Sequence, residues 1–223
     1  MSKRYEQHCP VAQALDVVGE RWALLIVRNL LLGPLRFTDL LGALPKMGTR
    51  MLSDRLKNLS EAGVVASREL PPPASTVAYA LTERGFELAP VISALADWGG
   101  PLLTPGKRAE RRDPDSAALM LWNRAQKAKR PPSGNVRLEI GERSYVFQFR
   151  AGEVRAQRGE LAAPDSAVAV STSDAFALLE GSLDVRRALD SERLKLSGQL
   201  RAPAFRELFG LPRSSEGGAP HAR

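Results

Sequence analysis

Cysteine and histidine are almost absent from this 223-residue chain, which holds one cysteine, Cys9, and two histidines, His8 and His221. A single cysteine excludes an internal disulfide framework. The sequence shows neither a Cys/His spacing typical of a metal site nor a glycine-rich loop of the kind that binds phosphates. We therefore predict no metal, no cofactor and no enzymatic activity.

Long hydrophobic runs are absent as well. No apolar stretch approaches the ~20 residues that a helix needs to span a bilayer. The N-terminus lacks the charged region and apolar core of a secretion signal. The sequence therefore predicts a cytoplasmic protein without a membrane partner. Its hydrophobic share of 43% is ordinary for a globular protein, so a folded core is expected.

The excess of positive charge is concentrated in one segment. The formal net charge is +7, and residues 106–130 supply five of these charges through eight basic and three acidic side chains. Such a balance suits a polyanionic partner but does not establish one. Residues 1–105 carry 11 basic and 10 acidic side chains. Any affinity of that half for DNA must then come from a few well-placed cations.

Apolar periodicity predicts a series of helices in the first 63 residues. The first begins at Cys9-Pro10 and ends near Gly19, with proline in its first turn. The second is apolar all round and therefore central to a small bundle. The predicted helices after the first span residues 22–32, 37–44 and 48–63.

The helix between Gly48 and Gly63 has two different faces. Leucines 52, 56 and 59 share one face, while Arg50, Asp54 and Lys57 project from the opposite one. Thr49 is the predicted N-cap. Two helices joined by a short glycine-containing turn, the second with a polar outer face, are typical of a helix-turn-helix. Taken alone, the segment fits an ordinary amphipathic surface helix equally well.

The segment after Gly63 changes to an alternating pattern. Residues 64–70 and 76–81 are predicted strands, and the proline-rich residues 71–75 form the turn between them. A hairpin directly after a recognition helix is a wing, and Arg68 near its tip can reach a phosphate or the minor groove. A helix capped by Thr82 and continuing to about Trp98 carries more apolar surface than this small domain needs. We predict that it forms a subunit interface.

Several sequence blocks in this half resemble the HxlR-type winged helix-turn-helix regulators. The resemblance covers roughly residues 5–100 and follows the family order of blocks. The blocks are Cys9-Pro10, Gly19-Glu20-Arg21-Trp22, Leu35-Arg36-Phe37-Thr38-Asp39-Leu40, Met51-Leu52-Ser53-Asp54-Arg55-Leu56, Ala62-Gly63-Val64-Val65, Tyr79-Ala80-Leu81-Thr82 and Ala96-Asp97-Trp98-Gly99. The resemblance implies a homodimeric transcription regulator whose terminal helices form the dimer. The long turn at 71–75 departs from the family pattern.

The resemblance also implies the residues that contact DNA. Thr49, Arg50, Ser53 and Lys57 are expected in the major groove, and Arg55 lies near a phosphate in this scheme. An intramolecular salt bridge is an equally weighted alternative for Arg55. The full predicted DNA-binding set is Arg36, Thr38, Thr49, Arg50, Ser53, Arg55, Lys57 and Arg68.

Cys9 has two possible roles. Some regulators with this resemblance sense oxidants or electrophiles through a cysteine at the start of the first helix, which matches Cys9 in position. A helix N-terminus favours the thiolate, and His8 and Arg4 can add to this effect. The alternative is a small, buried apolar side chain without redox function. Because Cys9 is the only cysteine, a switch would require an intersubunit disulfide or an adduct with a small thiol.

The second half begins with a helix and continues as a sheet. Asp113-Pro114 supplies an N-cap and a first-turn proline. Alternating apolar residues then predict strands, with turns at Gly141-Glu142 and Gly152-Glu153. The predicted strands span 136–140, 144–150, 154–158 and 167–171, with a last strand at residues 194–196. Ser173 or Asp174 caps a helix before Gly181, a helix follows at 183–189, and a final helix holds Phe205, Leu208, Phe209 and Leu211.

This half resembles the sterol carrier protein 2 type of domain over roughly residues 115–212. The matching residues are Gly159, Ala163-Pro164-Asp165, Ser173-Asp174-Ala175-Phe176, Leu179-Glu180-Gly181-Ser182-Leu183-Asp184 and Leu194-Lys195-Leu196-Ser197-Gly198. The resemblance implies a sheet covered by helices around a hydrophobic tunnel. Each tunnel residue can equally be ordinary core. The candidates are Trp122, Phe147, Phe149, Phe176, Leu179, Phe205 and Leu208.

The sequence thus predicts an α+β chain in four segments. They are a winged helix-turn-helix DNA-binding and dimerisation domain (1–100), a basic linker (101–114), a sterol-carrier-like domain (115–212) and a disordered tail (213–223). The predicted protein is a transcription regulator that acts as a repressor. It binds a pseudo-palindromic operator in double-stranded DNA as a homodimer, and its C-terminal domain binds a hydrophobic small-molecule effector. The alternative is a thiol-based sensor acting through Cys9, with the C-terminal domain as a structural module.

Overall fold

The computed structural model describes residues 4–69, 76–103, 112–129 and 131–212. The chain divides into two units, Met1–Thr104 and Pro105–Arg223. The predicted turn at residues 71–75, most of the basic linker and the predicted disordered tail lie outside the described residues.

The N-terminal unit combines short helices with a small sheet. The predicted helices within residues 10–63 are present with bounds that agree to within a few residues. The helices are α1 (Pro10–Val18), α2 (Ala23–Leu30), α3 (Phe37–Ala43), α4 (Thr49–Glu61), α5 (Glu83–Phe86) and α6 (Ala89–Gly99), and a 3-10 turn follows at Gly100–Leu102. The strands are β1 (Leu35–Arg36), β2 (Val65–Glu69) and β3 (Val77–Leu81).

The three strands form a sheet in the order β1-β3-β2. The predicted hairpin is confirmed: β2 and β3 are antiparallel, with Val65 opposite Leu81. Strand β1 was not predicted from the sequence. It has two residues, with Leu35 opposite Tyr79, and is too short to show an alternating pattern. It joins the start of α3 to strand β3 of the wing.

Two predicted features of the N-terminal unit are wrong. Gly48, not Thr49, is the N-cap residue of α4, and Thr49 is the first helical residue. The helix expected from Thr82 to Trp98 is two helices, α5 and α6. Pro90 lies in the first turn of α6. In one continuous helix, Pro90 could not donate a hydrogen bond to the turn before it, so a helix restarts here instead. The Thr82 cap itself is confirmed, since Thr82 Oγ1 accepts a hydrogen bond from Gly85 N at 3.0 Å.

Helix α4 is attached to the unit by its leucine face and by a closed C-terminal end. Leu52, Leu56 and Leu59 are buried, as the spacing predicts. Val64 N donates to Leu59 O at 2.9 Å, and Gly63 N donates to Ser60 O at 2.9 Å. Gly63 has a φ of 70°. These two bonds around a left-handed glycine form a Schellman motif, which ends the helix and directs the chain into the wing.

Replacing Gly63 with alanine should destabilise the protein by about 1 kcal/mol, because a side chain in the left-handed region is strained. A urea-unfolding titration measures the change. Gly42→Ala is the matched control: Gly42 lies inside α3 and a Cβ there meets no atom within 4 Å. Alanine in a helix interior is favoured over glycine by roughly 0.5–1 kcal/mol, so the control should be neutral or stabilising. Equal effects of the two substitutions would contradict the assignment of Gly63 as the left-handed residue that ends α4.

The C-terminal unit is a sheet with helices. Its helices are α7 (Pro114–Ala125), α8 (Thr172–Glu180), α9 (Val185–Asp190) and α10 (Ala202–Leu208). Its strands are β4 (Gly134–Ile140), β5 (Arg143–Arg150), β6 (Glu153–Arg158), β7 (Ser166–Val170) and β8 (Leu194–Gly198). The alternating apolar residues of the sequence predict these strands to within two residues at either end.

The sheet has the order β6-β5-β4-β7-β8. Strands β4 and β7 are parallel, while the other neighbouring pairs are antiparallel. The predicted N-cap of α7 is confirmed, because Asp113 Oδ1 accepts a hydrogen bond from Ser116 N at 2.8 Å. The predicted cap of α8 is wrong. Ser171 occupies that position and accepts a hydrogen bond from Asp174 N at 3.1 Å.

Candidate nucleic-acid interface

The outer face of α4 presents polar side chains to solvent. Arg50, Ser53 and Asp54 are exposed, and so is Thr49 in the first turn. Lys57 is exposed one turn further on, with its Nζ 3.9 Å from a carboxylate oxygen of Glu61. An exposed pair at that distance holds the lysine only weakly. The first two turns of α4 therefore offer hydroxyl and guanidinium donors that can reach a ligand.

Helix α3 and strand β2 present further predicted contacts. Arg36 and Thr38 are exposed at the start of α3, where Arg36 N donates to Asp39 Oδ2 at 3.4 Å. Arg68 is exposed on β2 and pairs with Ala78 across the wing hairpin. Charged and hydroxyl side chains in such flanking positions are typical phosphate contacts.

Arg55 does not share the outer face of α4. Its side chain is 21% exposed, and its Nη1 forms an ion pair with the carboxylate of Glu20. Its Nε donates to the carbonyl oxygen of Arg21 at 3.3 Å. Of the two roles that the sequence left open for Arg55, the structure contains the intramolecular salt bridge.

The predicted contact set leaves out several exposed residues of α4, among them Met51 and Asn58. Met51 and Asn58, seven residues apart, are both exposed beside Arg50 and Asp54. A side-chain amide can bond an adenine edge, and an apolar side chain can contact a thymine methyl group. The helical spacing of ~100° per residue places both near the outer face, so the signal was present in the sequence.

An apolar stripe runs along α6 into the turn that follows it. Val91, Leu95, Trp98 and Leu102 follow the spacing of one helical face, and all four are exposed, Trp98 by 74%. Helix α1 adds exposed apolar side chains of its own, among them Val11. Contiguous exposed apolar surface of this kind marks an interaction site. We name Val91, Leu95, Trp98 and Leu102 the α6 stripe.

Cys9 is the N-cap residue of α1. Its thiol is free and half-buried, and its side chain makes no capping hydrogen bond. The thiol therefore lies beside the first turn of α1, where the backbone N–H groups of a helix are directed.

The residues predicted to line a tunnel in the C-terminal unit are buried in its core. Trp122 Nε1 donates to Val154 O at 3.0 Å. Phe209, which the prediction did not include, packs edge-to-face against Phe147 at 6.0 Å and against Phe205 at 5.2 Å between ring centroids. The buried set comprises Trp122, Phe147, Phe149, Phe176, Leu179, Phe205 and Leu208.

A polar cluster crosses the C-terminal core beside these rings. Asp115, 9% exposed, accepts hydrogen bonds from Tyr145 Oη at 2.6 Å and from Arg158 Nη2 at 2.8 Å. Arg143 Nη1 lies 2.9 Å from the same carboxylate. Burial alone raises the pKa of Asp115, but the hydrogen bonds and charge of Arg158, with Tyr145 and Arg143, outweigh it and lower that pKa. Burial and the hydrogen bond to Asp115 raise the pKa of Tyr145, so its hydroxyl stays a donor.

None of the helices in the described ranges is long and apolar enough to cross a membrane.

Two family models match the chain. Residues 17–107 match the HxlR-like helix-turn-helix family, and residues 118–203 match the SCP-2 sterol transfer family. The first match contains the helix-turn-helix and the wing, and the second contains the five-stranded sheet.

The chain is also similar to curated regulators. The HTH-type regulator YvaP of Bacillus subtilis is 38% identical over 98 residues, which are 44% of this chain and 91% of YvaP. The HTH-type regulator YodB of the same organism is 34% identical over 99 residues, 44% of this chain and 88% of YodB. A regulator of Methanothermobacter thermautotrophicus is 34% identical over 94 residues, 42% of this chain and 72% of its own length.

Among solved structures, reduced YodB is 33% identical and has a TM-score of 0.39, covering 45% of this chain and 100% of that one. Quinone-bound YodB is 33% identical with a TM-score of 0.37, covering 42% and 98%. The relatives that match by sequence are transcriptional regulators, and this chain covers most of their length. The chain therefore belongs to the HxlR-like helix-turn-helix family of transcriptional regulators.

Proposed function

We propose that the protein is a repressor that binds a pseudo-palindromic operator as a homodimer and inserts α4 of each subunit into the major groove. The observation that carries this proposal is the outer face of α4, which is polar and exposed while its leucine face is buried. In a helix-turn-helix, the N-terminal residues of the second helix contact base edges. In α4 these are Thr49, Arg50 and Ser53.

The remaining cations have separate roles in this proposal. Lys57 joins the contacts in the major groove, and Arg36 neutralises a phosphate, with Thr38 as a neutral donor. Arg68 reaches the backbone from the wing. Because the N-terminal half of the chain is almost neutral in total, each of these cations contributes a large part of the electrostatic attraction.

The α6 stripe and the exposed apolar residues of α1 supply the dimer interface. A two-fold dimer presents its recognition helices to half-sites about one helical turn, ~34 Å, apart. Such an arrangement explains the exposed Trp98, since a large aromatic side chain that is open in one subunit becomes buried against the second.

Arg50→Ala tests the assignment of α4. The substitution should weaken operator binding by about 1–3 kcal/mol and relax base preference at one position of each half-site, while leaving the dimer intact. A gel-shift titration measures it, with a duplex that the parent protein selects from a random library. The control is Arg150→Ala, an exposed arginine of the C-terminal unit. Unchanged affinity of the Arg50 variant would defeat the assignment.

We assign the C-terminal unit as the receptor of a hydrophobic effector. Support comes from the match of residues 118–203 to a family of sterol transfer proteins and from a core rich in phenylalanine. An effector that binds one dimer geometry more tightly than another shifts the protein toward that geometry and so changes operator affinity.

Titration of the protein–operator complex with cholesterol and with palmitate tests the receptor assignment. Release of DNA by either compound supports it, provided that a chain ending before residue 105 still binds the operator and does not respond. If DNA is retained across a series of sterols and fatty acids, the C-terminal unit serves as a structural module instead.

A second candidate function rests on Cys9. Its free thiol lies at the N-terminal end of α1, and the exposed apolar residues of α1 belong to the proposed dimer interface. The relative YodB has been solved in a quinone-bound form. In this chain, a two-electron oxidant would take two electrons and two protons from a pair of Cys9 thiols and leave a disulfide across the dimer, or would join one Cys9 thiol to a small thiol in the same way. Cys9→Ser discriminates the two functions: loss of an oxidant response supports thiol sensing, while an unchanged response to lipophilic compounds supports the effector role.

A further inference from the structure

The turn between α1 and α2 has an unusual backbone. A Cβ on Gly19 would lie 2.5 Å from the carbonyl oxygen of Leu15. Trp22, the N-cap residue of α2, has a φ of 80°, in the left-handed region that non-glycine residues rarely adopt. The guanidinium of Arg21 lies 5.2 Å above the Trp22 ring. A conformation of this kind persists only where its surroundings hold it in place.

Helix α4 is the element that contacts this turn through Arg55. The Arg55 guanidinium pairs with the Glu20 carboxylate and donates to the Arg21 carbonyl oxygen at 3.3 Å. Both side chains of the pair are largely shielded, with exposed fractions of 21% and 27%. One side chain of α4 thus connects the helix to two consecutive residues of the turn.

The leucine face alone does not fix the rotation of α4 about its own axis. Leu52, Leu56 and Leu59 span only about 60° of the helix circumference at ~100° per residue, which is narrower than the usual apolar face. Gly48 at the N-cap contributes no side-chain capping bond. Arg55 lies beside the leucine stripe, where an anchor resists rolling of the helix.

We infer that Arg55 and Glu20 form a latch that sets the rotation of the recognition helix, so that Arg55 is a positioning residue and not a phosphate contact. The latch holds Arg50 and Ser53 toward the groove by tying α4 to the α1–α2 turn. This inference rests on the proposed DNA-binding role of α4.

Glu20→Gln separates positioning from phosphate contact by the sign of its effect. Removing a carboxylate from a DNA-binding surface favours DNA electrostatically, and it would also free Arg55 to reach a phosphate. The latch predicts the opposite, a loss of about tenfold in affinity for the selected duplex because the contact residues are misaligned. Binding equal to or tighter than that of the parent protein overturns the inference.

The dependence of affinity on salt gives a second readout. Loss of a phosphate contact reduces the slope of log affinity against log salt by about 0.9. Arg36→Ala should show that reduction, while Arg55→Ala should weaken binding with the slope unchanged. A reduced slope for Arg55→Ala assigns the residue to a phosphate and overturns the latch.

A charge exchange completes the test. The double variant Glu20→Arg with Arg55→Glu should recover most of the affinity lost in Arg55→Glu alone, since the pair is restored in reverse. A folded double variant without recovery overturns the inference; circular dichroism and light scattering establish fold and dimer. If the exchange does not fold, the affinity of Glu20→Gln and the salt slope of Arg55→Ala decide between the latch and a phosphate contact. A parent protein that selects no duplex would refute the DNA-binding role itself.

Discussion

Replacing Trp98 with glutamate should leave the protein monomeric and weaken operator binding by at least about a hundredfold, because two linked recognition helices gain that much from avidity. Trp98 is the most exposed residue of the α6 stripe. If the stripe is the dimer interface, glutamate brings a charge to an apolar surface that must lose its water, and a buried charge without a partner is strongly unfavourable. Light scattering after size-exclusion chromatography measures the oligomer, and a gel shift measures the affinity.

Ala96→Glu provides the control for the Trp98 variant. Ala96 is exposed on the same helix but lies off the stripe by more than a quarter turn. Ala96→Glu introduces the same charge two residues away on α6 and should leave both the dimer and the affinity close to those of the parent. A Trp98→Glu protein that remains dimeric at micromolar concentration would place the interface elsewhere.

Local patterns predicted most of the N-terminal unit. The spacing of Leu52, Leu56 and Leu59 predicted the buried face of α4, and Gly63 predicted the end of the helix. Strand β1 was not predicted, because two residues are too few to show an alternating pattern. It is a strand only because it pairs with β3. The role of Arg55 also needed the structure, since its partner Glu20 is remote in sequence. The spacing of apolar residues shows which side of a helix is buried. It does not show which residue an arginine at the edge of that side contacts.

In the C-terminal unit, too, local elements were predicted from the sequence, whereas contacts between distant residues were not. Alternation of apolar residues predicted the strands, because each has one buried face. The cluster around Asp115 was missed. An acidic residue in the first turn of a helix is favourable for the helix dipole, so Asp115 needed no other explanation. Its partners Tyr145 and Arg158 lie on strands that come near α7 only in the folded chain.

Asp115→Ala should destabilise the C-terminal unit by about 3–5 kcal/mol, the cost of removing one partner from a buried ion pair. The substitution removes the carboxylate that accepts hydrogen bonds from both the Arg158 guanidinium and the buried Tyr145 hydroxyl. Hydrogen exchange at the amides of β5 and β6 measures the local free energy of opening. Asp174→Ala is the control. Its partner Arg193 has a half-exposed side chain that water can solvate, so the loss should be smaller.

The same carboxylate makes stability depend on pH. The pKa of Asp115 is lower in the folded protein than in the unfolded chain, so the unfolded chain binds the proton more readily. The stabilisation is therefore complete above the unfolded pKa of about 3.9 and is lost as the pH falls through the lower, folded pKa. Asp115→Asn removes this titration. Its opening free energy at β5 should be lower than that of the parent at neutral pH and should fall less steeply below about pH 4. Parallel pH profiles for the two proteins would show that Asp115 does not stabilise the sheet through its charge, and the buried cluster would then owe its strength to hydrogen-bond geometry alone.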